Sequence, residues 1–162
     1  MKIGMKLRAS VFSTCLLAGA SLMETALLPA QGYLTGAALN KKIITDFYRV
    51  VFEPRNVDLL DQYIARDFVE HNPAVESGKS GGDRAALAAF IKTLPKPASD
   101  DIGSEMKSPP AYVVAEGDMV TFIFKQQIPD PKDKNKTYER FSFDMFRIKN
   151  GKIIEHWDGA AK

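Results

Sequence analysis

The chain has 162 residues, of which 45% are hydrophobic and 26% charged, and its formal net charge is +2. This balance excludes a disordered chain and is enough for one ordinary domain with a buried core. The charge is too small, and the lysines and arginines too dispersed, for a nucleic-acid surface. No stretch has the length and apolarity of a membrane-spanning helix.

At the start, Lys2, Lys6 and Arg8 precede the apolar run from Val11 to Ala18 and the small-residue triplet Ala18-Gly19-Ala20. That order predicts a secretory signal peptide over residues 1–30, cleaved near residue 20 or residue 30. The product is then periplasmic or secreted, with no stable membrane span after cleavage. The same residues also allow an N-terminal helix of the domain or an uncleaved anchor. Cleavage after Ala20 removes three basic residues and no acidic one, taking the net charge from +2 to −1. It also removes Cys15, the chain's one cysteine, leaving no disulfide, thiol nucleophile or thiolate metal site. The domain itself is expected over residues 34–160.

Three helices are predicted first. Leu39, Ile43, Phe47, Val50 and Val51 recur at helical spacing, and Pro54 follows. Asn56 is placed to cap a second helix with Leu59, Leu60, Tyr63 and Ile64 as its stripe. "SGKSGGD" reads as a flexible loop at a pocket rim. Asp83 is placed to cap a third helix carrying Leu87, Phe90, Ile91 and Leu94, stopped by Pro95. Strands follow: a weak one in "IGSEMKS", then "YVVA", "MVTFIFKQQI", "YERFSFDMFRIK" and "KIIEHWD". "PDPKDKNKT" is a solvated hairpin loop, and Asn150-Gly151 is a strong turn signal. Helices first and an antiparallel meander second make an α+β domain. A curved, mostly antiparallel sheet closed on one side by three helices leaves a cone-shaped pocket.

The last hairpin carries unusual cargo for a strand: His156 and Asp158 on one face, with Trp157 on the other. A two-residue loop pairs Lys149 with Lys152 and sets Asp144 opposite Trp157, away from Asp158. A three-residue loop with Gly151 left-handed pairs Ile148 with Lys152, Asp144 with His156, and Ser142 with Asp158. The second register is expected, because it groups Ser142, Asp144, His156 and Asp158, with Phe146, Ile148 and Ile154 filling the same face. Grouped polar groups satisfy one another, whereas each buried alone costs about 1–3 kcal/mol. A solvated outer face is the alternative.

The other histidine stands in "DFVEHNPAVESG", where Pro73 pushes Asn72 toward an extended conformation. His71 is thus at a strand end or in a loop, within reach of a cavity. "YIARDFVEHNPAVESG", "AEGDMVTFIF" and "FDMFRIKNGKIIEHWD", with the helices ahead of them, resemble the SnoaL-like polyketide cyclases of the nuclear transport factor 2-like fold. The likeness runs over about residues 36–158. It implies a cone-shaped sheet around a cavity plugged by helices, and ring closure by intramolecular aldol condensation with neither cofactor nor metal. It places the family's acid–base aspartate at Asp158, its pocket asparagine at Asn72 and a supporting polar residue at Asp144. The characterised cyclases have a histidine at that last position, and many continue past the Asp158 position with a tail that can cover the cavity. The resemblance also implies a homodimer formed through the outer face of the sheet, where Trp157 points.

An aldol step takes a proton from carbon and gives one to oxygen. A carboxylate does both when burial raises its pKa toward neutrality. Asp158, His156 and Asp144 are therefore the candidate catalytic residues, and His71, Asn72, Phe124 and Phe146 the candidate substrate contacts. The expected partner is a small apolar or carbonyl-containing molecule, and no cofactor is expected. Three readings stay open: a cofactor-free cyclase, isomerase or dehydratase; a non-catalytic binder of a small apolar ligand; and a metal site built from His71, His156 and a carboxylate.

Overall fold

The computed structural model describes residues 35–75 and 81–159. The expected signal peptide over residues 1–30 lies outside the described residues, as does most of "SGKSGGD". Among the described residues, no helix is long and apolar enough to cross a membrane.

Helix α1, Gly36–Phe47, buries Ile44 and Phe47 and runs directly into a π-helical turn, Tyr48–Phe52. Ile43, Phe47, Val50 and Val51 of the expected stripe pack on the core while Leu39 is exposed; the chain turns at Pro54 as expected, and the wider π turn adds Tyr48 to the buried side. The expected second helix is cut short. Only a 3-10 turn, Val57–Leu59, and a single helical turn, α2, Leu60–Tyr63, are formed. Ile64 then opens strand β1, Ile64–Glu70, instead of completing a helical stripe. A helix this short has little stability of its own, and pairing with the last strand fixes Ile64 against Ile153, both fully buried.

Helix α3, Gly82–Thr93, buries Leu87 and Ile91. Asp83 does not cap it. Gly81 holds the N-cap position with φ +104°, where a Cβ would stand 2.9 Å from that of Ala85. The Asp83 carboxylate instead accepts the backbone N–H of Glu70 at 3.0 Å, tying the end of β1 to the helix. The expected strand in "IGSEMKS" is not formed. Its backbone is tied to the first helical segment: Lys107 and Ser108 each donate an N–H to the Glu53 carboxylate at 2.8 Å, and Arg49 donates to the Gly103 carbonyl at 2.7 Å.

The remaining strands are β2, Tyr112–Glu116, β3, Met119–Pro129, β4, Thr137–Lys149, and β5, Lys152–Asp158. They form one open sheet in the order β1-β5-β4-β3-β2, antiparallel except for the parallel β1–β5 pair. The fold is thus the expected α+β arrangement, with a mixed sheet. Val120, Phe122, Phe146, Ile148 and Ile153 of the sheet join Ile44, Phe47, Tyr48, Leu87 and Ile91 of the helical segments in one core.

The β4–β5 register differs from both alternatives read from the sequence. The turn is the two-residue one, with Asn150 at φ +52° and Gly151 at φ +75°. Lys149 pairs with Lys152, and Ile148 with Ile153. Beyond Ile153 the register slips by one: Arg147 pairs with Glu155, Phe146 with His156, and Asp144 with Asp158. Ile154 is the extra residue of a β-bulge. The expected pairs Ile148–Lys152, Asp144–His156 and Ser142–Asp158 are therefore not made. The two-residue turn, by setting Ile153 opposite the buried Ile148, gives Ile153 rather than Ile154 the core position.

Candidate active site

The bulge decides which side chains meet. A plain two-residue hairpin puts Asp144 on the face away from Asp158. One extra residue rotates the end of β5 by half a pleat, so Asp144, His156 and Asp158 all line one cavity. That cavity, of about 190 Å³, lies between the sheet and the helices. One wall is apolar, with Phe47, Phe68, Val75, Leu87, Phe90 and Leu94; the other carries Tyr48, Glu70, Asn72, Asp144, His156 and Asp158.

The polar wall is wired. β1 alternates Phe68 and Glu70 inward, so the Glu70 side chain is fully buried. Its Oε1 accepts the backbone N–H of Asn72 at 2.9 Å and sits 2.8 Å from His156 Nδ1. A carboxylate only accepts, so His156 carries its proton on Nδ1. The opposite nitrogen, Nε2, lies 3.9 Å from Asp144 Oδ1, too far for a hydrogen bond. The imidazole is stacked on Phe146, centroids 4.6 Å apart at 22°. Tyr48 donates its hydroxyl proton to Asp144 Oδ2. Burial, reinforced by the Asp144 carboxylate, holds the Tyr48 phenol well above its ordinary 10.0, so it is a neutral donor at physiological pH. Burial also raises Asp144 above 3.8, and the Glu70 charge adds to this. The Tyr48 hydrogen bond and the His156 charge pull the other way without cancelling it.

The expected substrate contacts divide. Phe146 and Asn72 line the cavity. The Asn72 side-chain Oδ1 accepts the N–H of Ala74 at 2.7 Å, an Asx turn that fixes the chain at Pro73. Phe124 packs against Tyr48 at 5.6 Å and lines an adjoining compartment instead. His71 is not in the cavity. β1 ends at Glu70, and the next side chain falls on the opposite face, where His71 stacks on Trp157 (5.0 Å, 3°) and its Nε2 meets Glu155 at 2.8 Å. His71 and His156 thus lie on opposite faces of the sheet, and the metal reading that joins them does not fit the geometry. Trp157, sandwiched between His71 and the Arg147 guanidinium at 5.2 Å, is a packing residue of the outer face.

Residues 44–156 match the SnoaL-like domain family. The chain belongs to that family. No protein of curated function matches it. Among solved structures it is similar to IdmH, a candidate polyketide cyclase from Streptomyces antibioticus, at 20% identity over 74% of this chain and 89% of that one, with a TM-score of 0.48. A candidate polyketide cyclase from Acidithiobacillus ferrooxidans is also 20% identical, over 77% and 89%, with a TM-score of 0.47. An NTF2-like protein from Burkholderia xenovorans is 19% identical over 78% and 91%, with a TM-score of 0.49.

The SnoaL-like match ends at His156, so Asp158 stands just beyond it. Two residues of the polar wall of this SnoaL-like domain escape the sequence reading, Tyr48 and Glu70. Tyr48 sits beside Phe47 off the regular helical stripe, and its partner Asp144 is 96 residues away. Glu70 is read as an ordinary charge unless Ile64 is recognised as the start of a strand. The alternation Phe68-Val69-Glu70 is the signal that would find it.

Proposed function

We propose that this SnoaL-like domain performs acid–base catalysis without a cofactor on a small apolar, carbonyl-containing molecule, in an aldol-type cyclisation, an isomerisation or a dehydration. Asp158 is the proton shuttle in this reading. The observation that carries it is the convergence of Asp144, His156 and Asp158, with Tyr48 donating to Asp144, on the polar wall of a cavity whose other lining is apolar. The apolar wall takes the body of the molecule. Asp158 removes a proton from carbon and returns one to oxygen, while Tyr48, its single hydroxyl proton engaged by Asp144, holds that second carboxylate in place. Positioned acid–base groups contribute roughly 10²–10⁴-fold, so the substrate has an already acidic C–H. The test is deuterium uptake by a panel of enolisable ketones and diketones, followed by mass spectrometry. The wild type should accelerate exchange for some member of the panel, and Asp158→Asn should return that rate to background. Undiminished exchange in Asp158→Asn removes the shuttle from the proposal.

A non-catalytic binder is the second reading, favoured by one observation. Tyr48 already engages one oxygen of Asp144, and His156 one oxygen of Glu70, so part of the polar wall is paired within itself, while Glu70 Oε2 has no hydrogen-bond partner among the described residues. Native mass spectrometry revealing a co-purified apolar molecule, with every exchange assay blank, would select it.

The reading includes export to the periplasm or exterior, supported by the basic-apolar-small order of residues 1–20. N-terminal sequencing of the product from its native host should begin after residue 20 or near residue 30. It also includes a homodimer through the outer sheet face, supported by Tyr112, Val114, Phe141 and Phe143, all exposed there.

A further inference from the structure

A second compartment, of about 380 Å³, adjoins the inner cavity. Tyr48, Phe52 and Asp144 line both, so the hydrogen-bonded Tyr48–Asp144 pair stands at the junction. The outer compartment has a different chemistry. Its walls are Phe52, Phe124 and Pro97, and its polar groups include Arg55, Lys107, Gln126 and Ser142.

Arg55 is the feature that marks it. Its backbone is left-handed, with φ +64°, a conformation unfavourable for a residue with a long side chain. Such strain persists where something holds the side chain in place and recurs at ligand sites. The guanidinium folds back over the Phe52 ring at 5.2 Å, and Nη1 donates to the Phe52 carbonyl. Nε is buried and has no hydrogen-bond acceptor among the described residues. No carboxylate of the described residues forms an ion pair with Arg55. The compartment's own acids are engaged elsewhere. Both oxygens of Glu53 accept backbone N–H groups of Lys107 and Ser108, and Asp144 is held by Tyr48. The Lys107 ammonium donates to the neutral Ser99 carbonyl at 2.6 Å, which fixes its position and leaves its charge uncompensated. Arg55 and Lys107 are two cations of this compartment with no ion-pair partner among the described residues, and of the two it is the guanidinium that matches the planar fork of a carboxylate.

We propose that the outer compartment seats a carboxylate of the substrate on Arg55, while the apolar body of the same molecule fills the inner cavity. This deepens the acid–base reading above and rests on it for the identity of the inner cavity. The substrate class is then a carbonyl compound with a carboxylate at the end remote from its reacting carbon. The Tyr48–Asp144 pair lies at the junction, and the reacting carbon sits beyond it in the inner cavity, beside Asp158.

The test is calorimetric titration with ω-phenylalkanoic acids of increasing chain length and with their primary amides, which keep the shape and lose the charge. At least one acid should bind about tenfold or more tightly than its amide at neutral pH, a preference that fades at high salt. Arg55→Met should erase the preference while leaving amide binding intact, and Arg55→Lys should restore part of it. If Arg55→Met does not fold, the acid–amide comparison and its salt dependence in the wild type still decide. Acids and amides binding alike, or neither binding at all, would overturn the carboxylate seat. An intact acid preference alongside blank deuterium-exchange assays would leave the seat standing and remove the catalytic reading.

Discussion

His156 Nδ1 lies 2.8 Å from Glu70 Oε1, joining the first strand of the sheet to the last through a fully buried carboxylate. The contact fixes the ring's tautomer and aims Nε2 toward Asp144. Glu70→Ala removes the acceptor of both the imidazole and the Asn72 amide. Hydrogen bonds to a charged group contribute about 1.5–3 kcal/mol each, partly offset here by relief of a buried charge. A loss of about 2–4 kcal/mol in urea unfolding is expected for Glu70→Ala, and a smaller one for Glu70→Gln, which keeps an acceptor oxygen. Imidazole ¹⁵N shifts should report a proton on Nδ1 of neutral His156 in the wild type, and a tautomer mixture in Glu70→Ala. An unchanged tautomer would remove Glu70 from the site.

Asp144 provides a pH signature. Burial raises its folded-state pKa above 3.8. Between 3.8 and the raised value, the folded chain binds more protons than the unfolded chain, so stability falls as pH rises through that window. Below 3.8 the carboxyl is protonated in both states and the penalty vanishes. Asp144→Asn keeps an oxygen to accept from Tyr48 and never ionises. Its stability relative to the wild type should therefore rise from acid toward neutral pH and then level off. A constant difference across that range would mean that Asp144 is not desolvated.

How much of this was legible in the sequence follows from how local each determinant is. The α1 stripe, the third helix and the last three strands are written in nearest-neighbour periodicity, and they lie close to where that periodicity puts them. β1 was hidden because Leu59, Leu60, Tyr63 and Ile64 fit a helical spacing. Only the parallel partner β5, distant in sequence, makes Ile64 a strand residue. The inward set Asp144, His156 and Asp158 follows from a bulge that no residue type announces, since neither Ile153 nor Ile154 differs from an ordinary strand residue. His71 was misplaced for the same reason as β1: its face is set by the strand that precedes it.

The two-residue turn register can be tested by two deletions of equal chemistry. Ile153 is fully buried, while Ile154 is only half-buried as the extra residue. Ile153→Ala should cost about 2–5 kcal/mol, the range for a large aliphatic side chain removed from a core. Ile154→Ala should cost clearly less, roughly 1 kcal/mol. The register with a three-residue loop puts Ile154 on the core face and reverses the order. Asn150-Gly151 adds a third probe: Gly151 sits at φ +75°, and Gly151→Ala should cost about 1 kcal/mol through backbone strain alone.

The outer sheet face sets the last expectation. Tyr112 of β2 pairs across Ile123 of β3 with Phe143 of β4, and one step along, Val114 pairs across Thr121 with Met145, which adjoins Trp157 of β5. Tyr112, Val114 and Phe143 are 61%, 58% and 46% exposed, and Phe141 continues the patch at 43%. A cross-strand row of large apolar side chains in water is costly for a monomer and is the usual mark of an interface. Each residue hidden in a twofold contact adds in both subunits, so single changes act twice. A lysine at Val114 or at Phe143 puts two like charges near the axis without touching the core. Val114→Lys and Phe143→Lys should each convert a dimer to a monomer in light scattering at micromolar concentration, with unfolding of the monomer little changed. A wild type that is monomeric at the highest soluble concentration would remove the dimer from the proposal and leave this face to another partner.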